Sequence, residues 1–109
     1  MNWDEDGYNY VSNQNTQGRK DDTGKADWTL MPFKALEPVV RVLEFGAYKY
    51  GRENWKSVQT PRRRYLAAAY RHLNSITDGE WPDKESNLPH AAHAICCLLF
   101  LLWFGEEEN

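Results

Sequence analysis

The chain has little cysteine and no apolar run long enough to span a bilayer. Its 109 residues include two cysteines, the adjacent pair Cys96 and Cys97. Neighbouring side chains on a helix point about 100° apart, so these two are poorly placed to bridge each other and indicate core positions in a reducing cytosol. The apolar run of residues 91–104 is shorter than the roughly 20 residues of a membrane span and predicts a buried helix. No signal-peptide pattern follows Met1, so we expect a cytoplasmic protein without a membrane partner.

Several common catalytic motifs are also missing. The sequence has no glycine-rich loop of the P-loop or dinucleotide-binding kind. Ser75 and Ser86 lie in no recognisable nucleophile motif, and both cysteines lie in the hydrophobic segment. Covalent catalysis by serine or cysteine is therefore not expected.

The net charge of −3 hides an uneven distribution. Residues 33–79 contain nine basic and four acidic side chains, whereas residues 80–109 contain one basic and six acidic side chains. The overall sign argues against binding to duplex nucleic acid. A basic middle beside an acidic final third is typical of a protein that binds a compact polyanion with a metal ion held between the two, although solvated helix faces would have the same composition.

Apolar periodicity and helix-terminal residues predict three helices and no strand. We place these helices at Phe33 or Pro38 to Tyr50, Pro61 to Gly79, and Pro89 onward through the apolar run. Thr60 is the expected cap of the second helix. The buried seam of that helix is predicted to be Leu66, Ala69, Leu73 and Ile76. The fold class is therefore all-α, a small helical domain of three main helices.

The third helix is apolar on every side, which predicts that it is buried. In so short a chain a second subunit is the expected cover, so we predict a homo-oligomeric bundle. Residues 1–18 have no periodicity and are predicted to be a flexible N-terminal arm. Residues 19–105 form the single helical domain, and residues 106–109 form an acidic tail.

The connector between the second and third helices is dense in carboxylates and is closed by histidines. Its acidic side chains, joined by one from the first helix, are oxygen ligands that suit Mg²⁺ or Mn²⁺: Glu44, Glu80, Asp83 and Glu85. Zinc held by His72, His90 and His93 is the less favoured alternative, because no cysteine pair accompanies them. A solvated surface would account for each carboxylate, and a hydrogen-bonded core position for each histidine.

The basic side chains of the middle segment complement a triphosphate, since the guanidinium fork matches phosphate oxygens. Lys49, Arg64 and Arg71 are the candidates, and Lys25 in an acidic turn near the N-terminus would also reach phosphate. A bound metal would polarise a phosphoryl oxygen and lower the pKa of a bound water, with a carboxylate or histidine taking the proton.

Three sequence motifs also resemble those of a known protein family. They are K-D-D-T-G-K-A-D-W-T-L-M-P, K-Y-G-x-x-N-W, and R-H-L followed by G-E and D-x-E-S-x-L-x-H-x-x-H-A. Through them, about residues 19–103 resemble a small family found largely in phages, the dATP/dGTP diphosphohydrolases of N-terminal domain type. The family is grouped by analogy with MazG-like, all-α, metal-dependent nucleotide pyrophosphohydrolases. The resemblance implies hydrolysis of purine deoxynucleoside triphosphates to monophosphate and pyrophosphate, in the host cytoplasm if the protein is viral.

Residue types and resemblance together define the candidate site. The expected catalytic residues are Glu80, His90 and His93. The expected nucleotide-binding residues are Lys25, Lys49, Tyr50, Asn54, Trp55, Arg64, Arg71 and His72. Asn87 stands where the family usually has glycine, and both residue types accept a left-handed turn.

MazG-like enzymes carry E-x-x-E and E-x-x-D pairs on facing helices, whereas the helices here offer Glu37 and Glu44, seven positions apart. The alternative function is therefore a non-catalytic sponge that sequesters a cyclic or ADP-ribose-type nucleotide signal of antiviral defence. Such a sponge needs cationic and aromatic side chains but no metal-binding carboxylates. A plain scaffold is a third function class, and it would leave the histidines and carboxylates of the connector unexplained.

Overall fold

The computed structural model describes residues 17–105, in two compact units that divide between Met31 and Pro32. In the first unit, Trp28–Leu30 form a 3-10 helix, and the side chain of Asp27 caps it by accepting the Thr29 N–H at 3.0 Å. Hydrogen bonds from the Thr29 hydroxyl and N–H lower the pKa of Asp27. The predicted arm and the predicted acidic tail lie almost wholly outside the described residues, so these boundaries stay predictions.

The second unit is built from three α-helices. These are α1, Phe33–Tyr50; α2, Pro61–Thr77; and α3, His90–Phe104, with a 3-10 turn at Asn54–Ser57 between α1 and α2. Residues 17–105 contain no strand, and an isolated bridge pairs Pro82 with Pro89. The predicted all-α class with three main helices is confirmed, whereas the homo-oligomeric assembly stays a prediction.

Proline and glycine account for most of the helix boundaries. α1 begins at Phe33 and accommodates Pro38 inside the helix, where proline lacks the N–H that would bond to the carbonyl four residues earlier. The helix ends at Gly51, which has φ 99° and donates its N–H to the Ala47 carbonyl at 2.8 Å. The predicted end of this helix at Tyr50 is therefore confirmed.

The start of α2 differs from the sequence prediction. Thr60 was expected to cap the helix, but it has left-handed backbone angles (φ 46°) and makes no side-chain capping bond. Its hydroxyl instead donates to the Gln59 carbonyl at 2.7 Å. Pro61, which is fully buried, occupies the first turn, and its fixed φ starts the helix without a cap.

The core forms where α3 packs against both α1 and α2. Its buried centre consists of Val39, Val42, Ala92 and Cys96. Small side chains on α3 allow a close approach, so the Cys96 thiol donates to the Val39 carbonyl at 3.4 Å. Burial raises the pKa of Cys96 to about 12, which makes it a packing residue rather than a nucleophile.

One predicted core position on α2 is wrong. Leu73 is 49% exposed, whereas Ala69 is buried as expected. The side of α2 that faces α3 carries Tyr65 and His72, and Leu73 is turned about 100° away from His72. Tyr50 is 63% exposed at the end of α1.

α2 and α3 run antiparallel, which gives the unit two chemically different ends. Tyr65 of α2 contacts Phe100 and Phe104, whereas His72, later in α2, contacts His90 and His93 at the start of α3. Ten residues of helix separate His90 from Phe100, which is about 15 Å. We call these the histidine end and the aromatic end. α3 leaves several apolar side chains exposed: Ile95, Leu98, Leu99, Leu102 and Trp103.

Within residues 17–105, no helix combines the length and the hydrophobicity that crossing a membrane would require.

Candidate active site

The connector from α2 to α3 folds back on itself and brings its carboxylates to the start of α3. The Asp83 N–H donates to the Leu88 carbonyl at 2.8 Å, and the Asn87 N–H donates to the Asp83 carbonyl at 2.7 Å. Asn87 has φ 61°, so the left-handed turn expected at this position is present. The His90 N–H donates to the Trp81 carbonyl at 3.0 Å and thereby ties the first residue of α3 to the connector.

His90 lies at the centre of a hydrogen-bonded chain of three side chains. It is 3% exposed, with Nε2 at 2.6 Å from Glu80 Oε2 and Nδ1 at 2.8 Å from His72 Nδ1. A carboxylate only accepts, so His90 Nε2 carries the hydrogen in this pair. In the neutral His90 ring, Nδ1 is then an acceptor, and the His72 Nδ1–H donates to it.

A second chain joins His93 to Asp83 through Ser86. Ser86 Oγ lies 2.7 Å from His93 Nε2 and 3.0 Å from Asp83 Oδ2, and it also accepts the Leu88 N–H at 3.2 Å. All of these groups are satisfied when His93 Nε2–H donates to Ser86 Oγ and the hydroxyl donates to Asp83. Ser86 was not among the site residues predicted from the sequence, because it belongs to no nucleophile motif; its position three residues after Asp83 in a turn was the available signal.

The two chains meet where His72 stacks on His93, with ring centroids 4.6 Å apart and planes 13° apart. Burial lowers the pKa of both rings, and for His72 the neighbouring His93 and His90 act in the same direction. Burial opposes ionisation of Asp83, but hydrogen bonds from the Ser86 N–H and hydroxyl outweigh it and lower the pKa of Asp83. The site therefore combines the neutral imidazoles of His72 and His93 with the ionised carboxylate of Asp83 near pH 7.

Three of these side chains are arranged as a potential metal site. One donor atom each from His72, Asp83 and His90 lies within 4.8 Å of the donor atoms of the other two. This set differs from the expected all-carboxylate group, because it contains two imidazole nitrogens and one of the four predicted acidic residues. Glu80 lies beside the set and contacts it through His90.

Comparison with known proteins identifies the family. The family model described as dATP/dGTP diphosphohydrolase, N-terminal, matches residues 15–109. This chain belongs to that family. It is 41% identical over 86 residues to a dATP/dGTP diphosphohydrolase of Salmonella phage PMBT28, a match that covers 79% of this chain. The chain spans 29% of the length of that phage relative. No solved structure matches significantly.

The histidine end of this family member also carries cationic side chains. Lys49 of α1 pairs with Glu85 of the connector, which raises the pKa of Lys49 through their hydrogen bond. Its ammonium lies 5.1 Å from the Tyr50 ring centroid. Arg71 is exposed beside His72 on α2. Lys49, Tyr50 and Arg71 are therefore the predicted nucleotide-binding residues that accompany the histidines.

Other predicted residues lie away from the histidines. Trp55 stacks on Phe100 at 4.4 Å and so belongs to the aromatic end, together with its neighbour Asn54. Arg64 precedes Tyr65, which contacts the same aromatic side chains, and therefore also lies at that end. These placements follow from the antiparallel packing of α2 and α3, because the start of α2 contacts the end of α3 and the later part of α2 contacts the start of α3.

Two further predicted residues, Glu44 and Lys25, make other contacts. Glu44 of α1 accepts from Arg41 at 2.9 Å on the exposed surface. It is five positions before Lys49, about 140° around the helix, and so faces away from the side on which Lys49 meets Glu85. Lys25 lies in the first unit, where its N–H donates to the Asp22 carbonyl at 3.0 Å.

A shallow depression of about 460 Å³ lies at the aromatic end. It is lined by Lys56, Ser57, Val58, Gln59, Thr60 and Phe104. None of the site histidines or connector carboxylates lines it. Its lining contains no titratable pair suited to catalysis.

Proposed function

We propose that this chain hydrolyses purine deoxynucleoside triphosphates to a monophosphate and pyrophosphate with the help of a divalent metal ion. The observation that carries the proposal is the convergence of Glu80, Asp83 and three histidines at one end of the helical unit. The substrate class comes from the name of the phage relative and from the family description. Hydrolysis to these products breaks the phosphoanhydride link between the α and β phosphates.

The residues of the histidine end suit the separate tasks of this reaction. Lys49 and Arg71 would neutralise phosphate charge, and a metal ion held by the site would polarise a phosphoryl oxygen. His90 uses both ring nitrogens in hydrogen bonds, whereas the hydrogen bonds described for His93 engage only Nε2. His93 is therefore the predicted catalytic histidine that keeps a nitrogen for accepting the proton of the attacking water.

The test is incubation of the protein with each of the four deoxynucleoside triphosphates and Mg²⁺, Mn²⁺, Zn²⁺ or EDTA. Ion-exchange chromatography separates monophosphate, diphosphate, pyrophosphate and orthophosphate. We expect dAMP or dGMP together with pyrophosphate, and at least a 100-fold loss of rate in Asp83→Asn. Asp78→Asn, which changes an exposed carboxylate at the end of α2, is the matched control and should keep the wild-type rate. Folded protein without products under every metal condition would refute the proposal.

The alternative function is the sequestration of a nucleotide without turnover. The chain spans 29% of the phage relative, so the activity in that relative's name belongs to a much longer protein. Calorimetric titration with the same nucleotides, followed by denaturation and chromatography of the released ligand, separates the two functions. Tight binding with intact ligand recovered supports sequestration, and recovery of monophosphate supports hydrolysis.

A further inference from the structure

We propose that Nδ1 of His72, Nδ1 of His90 and a carboxylate oxygen of Asp83 bind one divalent transition-metal ion. The inference deepens the proposed function because it names the ion site of the same cluster. Metal binding is nevertheless measurable without any nucleotide, so the two proposals can fail separately.

His90 has the hydrogen bonding of a metal-bound histidine. Its side chain is 4% exposed, and its Nε2–H donates to Glu80, which fixes the tautomer and leaves Nδ1 as the electron-pair donor. Histidine ligands almost always donate their second ring N–H to a carboxylate, a carbonyl or water, and this contact orients the ring. Glu80 therefore acts as a positioning residue, not as a ligand.

Asp83 is oriented in a similar way by Ser86. The Ser86 N–H and hydroxyl both donate to Oδ2, at 2.9 Å and 3.0 Å. The same oxygen is 3.8 Å from His93 Nε2. These contacts hold the carboxylate in its ionised form and leave Oδ1 as the oxygen for a metal ion.

The distances bring the three donors within reach of one ion. Two nitrogens bound to the same ion are separated by about 3.0–3.4 Å for metal–nitrogen bonds of about 2.1 Å and bond angles between 90° and the tetrahedral value. The two Nδ1 atoms lie 2.8 Å apart, and the donor atoms of all three residues lie within 4.8 Å of one another. Side-chain adjustments of roughly 1 Å, together with the transfer of the His72 hydrogen from Nδ1 to Nε2, would therefore complete the site.

The donor set also selects the class of metal. Two imidazole nitrogens and one carboxylate suit Zn²⁺, Mn²⁺ or Fe²⁺, whereas Mg²⁺ prefers oxygen ligands and retains its water. Three protein ligands leave coordination positions for water and for a phosphate oxygen. The composition of this site is thus that of a catalytic metal centre rather than of a closed structural one.

The first test measures metal binding alone. Protein stripped with EDTA and dialysed is titrated calorimetrically with Zn²⁺, Mn²⁺ or Mg²⁺, and the bound metal is counted by mass spectrometry after desalting. We expect one Zn²⁺ or Mn²⁺ per chain and weaker binding of Mg²⁺. His72→Ala and Asp83→Asn should each lower the affinity at least 100-fold, and Glu80→Gln about 10-fold through loss of orientation. Glu44→Gln, which removes a carboxylate expected from the sequence to be a ligand, should leave the affinity unchanged.

The second test needs no substitution and therefore does not depend on the folding of variants. In ¹⁵N-labelled wild-type protein, long-range proton–nitrogen correlation spectra report each imidazole nitrogen. Adding one equivalent of Zn²⁺ should shift Nδ1 of His72 and of His90 to the metal-bound range while His93 changes little. Coordination through Nε2, no bound ion, or equal affinity in His72→Ala would overturn the metal site. A bound ion without hydrolysis would refute only the proposed function.

Discussion

Replacement of Ser86 by alanine tests the hydrogen-bonded chain that holds the connector to α3. The hydroxyl is 2.7 Å from His93 Nε2, 3.0 Å from Asp83 Oδ2 and 3.2 Å from the Leu88 nitrogen. Alanine keeps the hydrogen bond from the backbone N–H of residue 86 to Asp83 Oδ2 but removes all three contacts of the hydroxyl. Two donors, the His93 Nε2–H and the Leu88 N–H, then lose their acceptor.

The size of the effect follows from the charge and the exposure of the partners. A hydrogen bond to a charged group contributes about 1.5–3 kcal/mol, and a neutral one about 1 kcal/mol. The side chains of His93 and Asp83 are 13% and 21% exposed, so water replaces part of what is lost. We therefore expect Ser86→Ala to lower the free energy of unfolding by about 2 kcal/mol, which corresponds to a decrease of about 10 °C in Tm for a domain of this size.

Urea denaturation followed by far-ultraviolet circular dichroism measures this change, with the protein in EDTA to exclude metal effects. Ser57→Ala is the matched control, because Ser57 is exposed in the 3-10 turn and its replacement should change the free energy by less than about 0.5 kcal/mol. A loss below that value in Ser86→Ala, with an unchanged urea dependence, would show that the hydroxyl does not connect the two elements.

Three further predictions concern pH and backbone strain. Burial lowers the pKa of His72 and His93, so these rings take up protons at a higher pH in the unfolded state than in the folded state. The free energy of unfolding is therefore highest above about pH 6.5 and falls as the pH decreases. The decrease is at most about 1.4 kcal/mol per pH unit for each ring. Urea titrations at pH 7 and pH 5 in EDTA check the sign of this change. Asp83, whose pKa is lowered from 3.8, adds a loss in the same direction below about pH 4, which a urea titration at pH 3 measures. Asn87→Ala should cost about 1 kcal/mol in unfolding free energy, and Asn87→Gly less than half as much, because φ is 61°. Thr60→Gly should raise the Tm by relieving about 1 kcal/mol of strain at φ 46°, and an unchanged Tm would contradict that reasoning.

The helical fold was predictable because its signals are local. Gly51 ends α1 and Pro61 starts α2 through backbone preferences that do not depend on distant residues. Predictions from neighbouring residues fail where tertiary packing sets the backbone angles or the exposure of a side chain. Thr60 cannot be recognised as a left-handed residue from its type, and the exposure of Leu73 depends on which side of α2 the third helix contacts.

The candidate site was predictable in composition but not in its connections. The chain of Glu80, His90 and His72 requires the connector to fold back and α2 to run antiparallel to α3. The same packing carries Trp55 and Arg64 to the aromatic end, although their residue types suit a nucleotide site equally well. Residue type alone does not report position along a helix axis in the folded unit.

By itself, the sequence determined the all-α class, most of the helix boundaries and the concentration of carboxylates and histidines around one turn, since these depend on neighbouring residues. The tertiary structure alone decided that His72 joins His90 and Asp83, that Ser86 links Asp83 to His93, and that Glu44 points elsewhere. The physical reason is that hydrogen bonding and metal ligation act over about 3 Å, and only chain folding brings side chains this far apart in sequence to such distances.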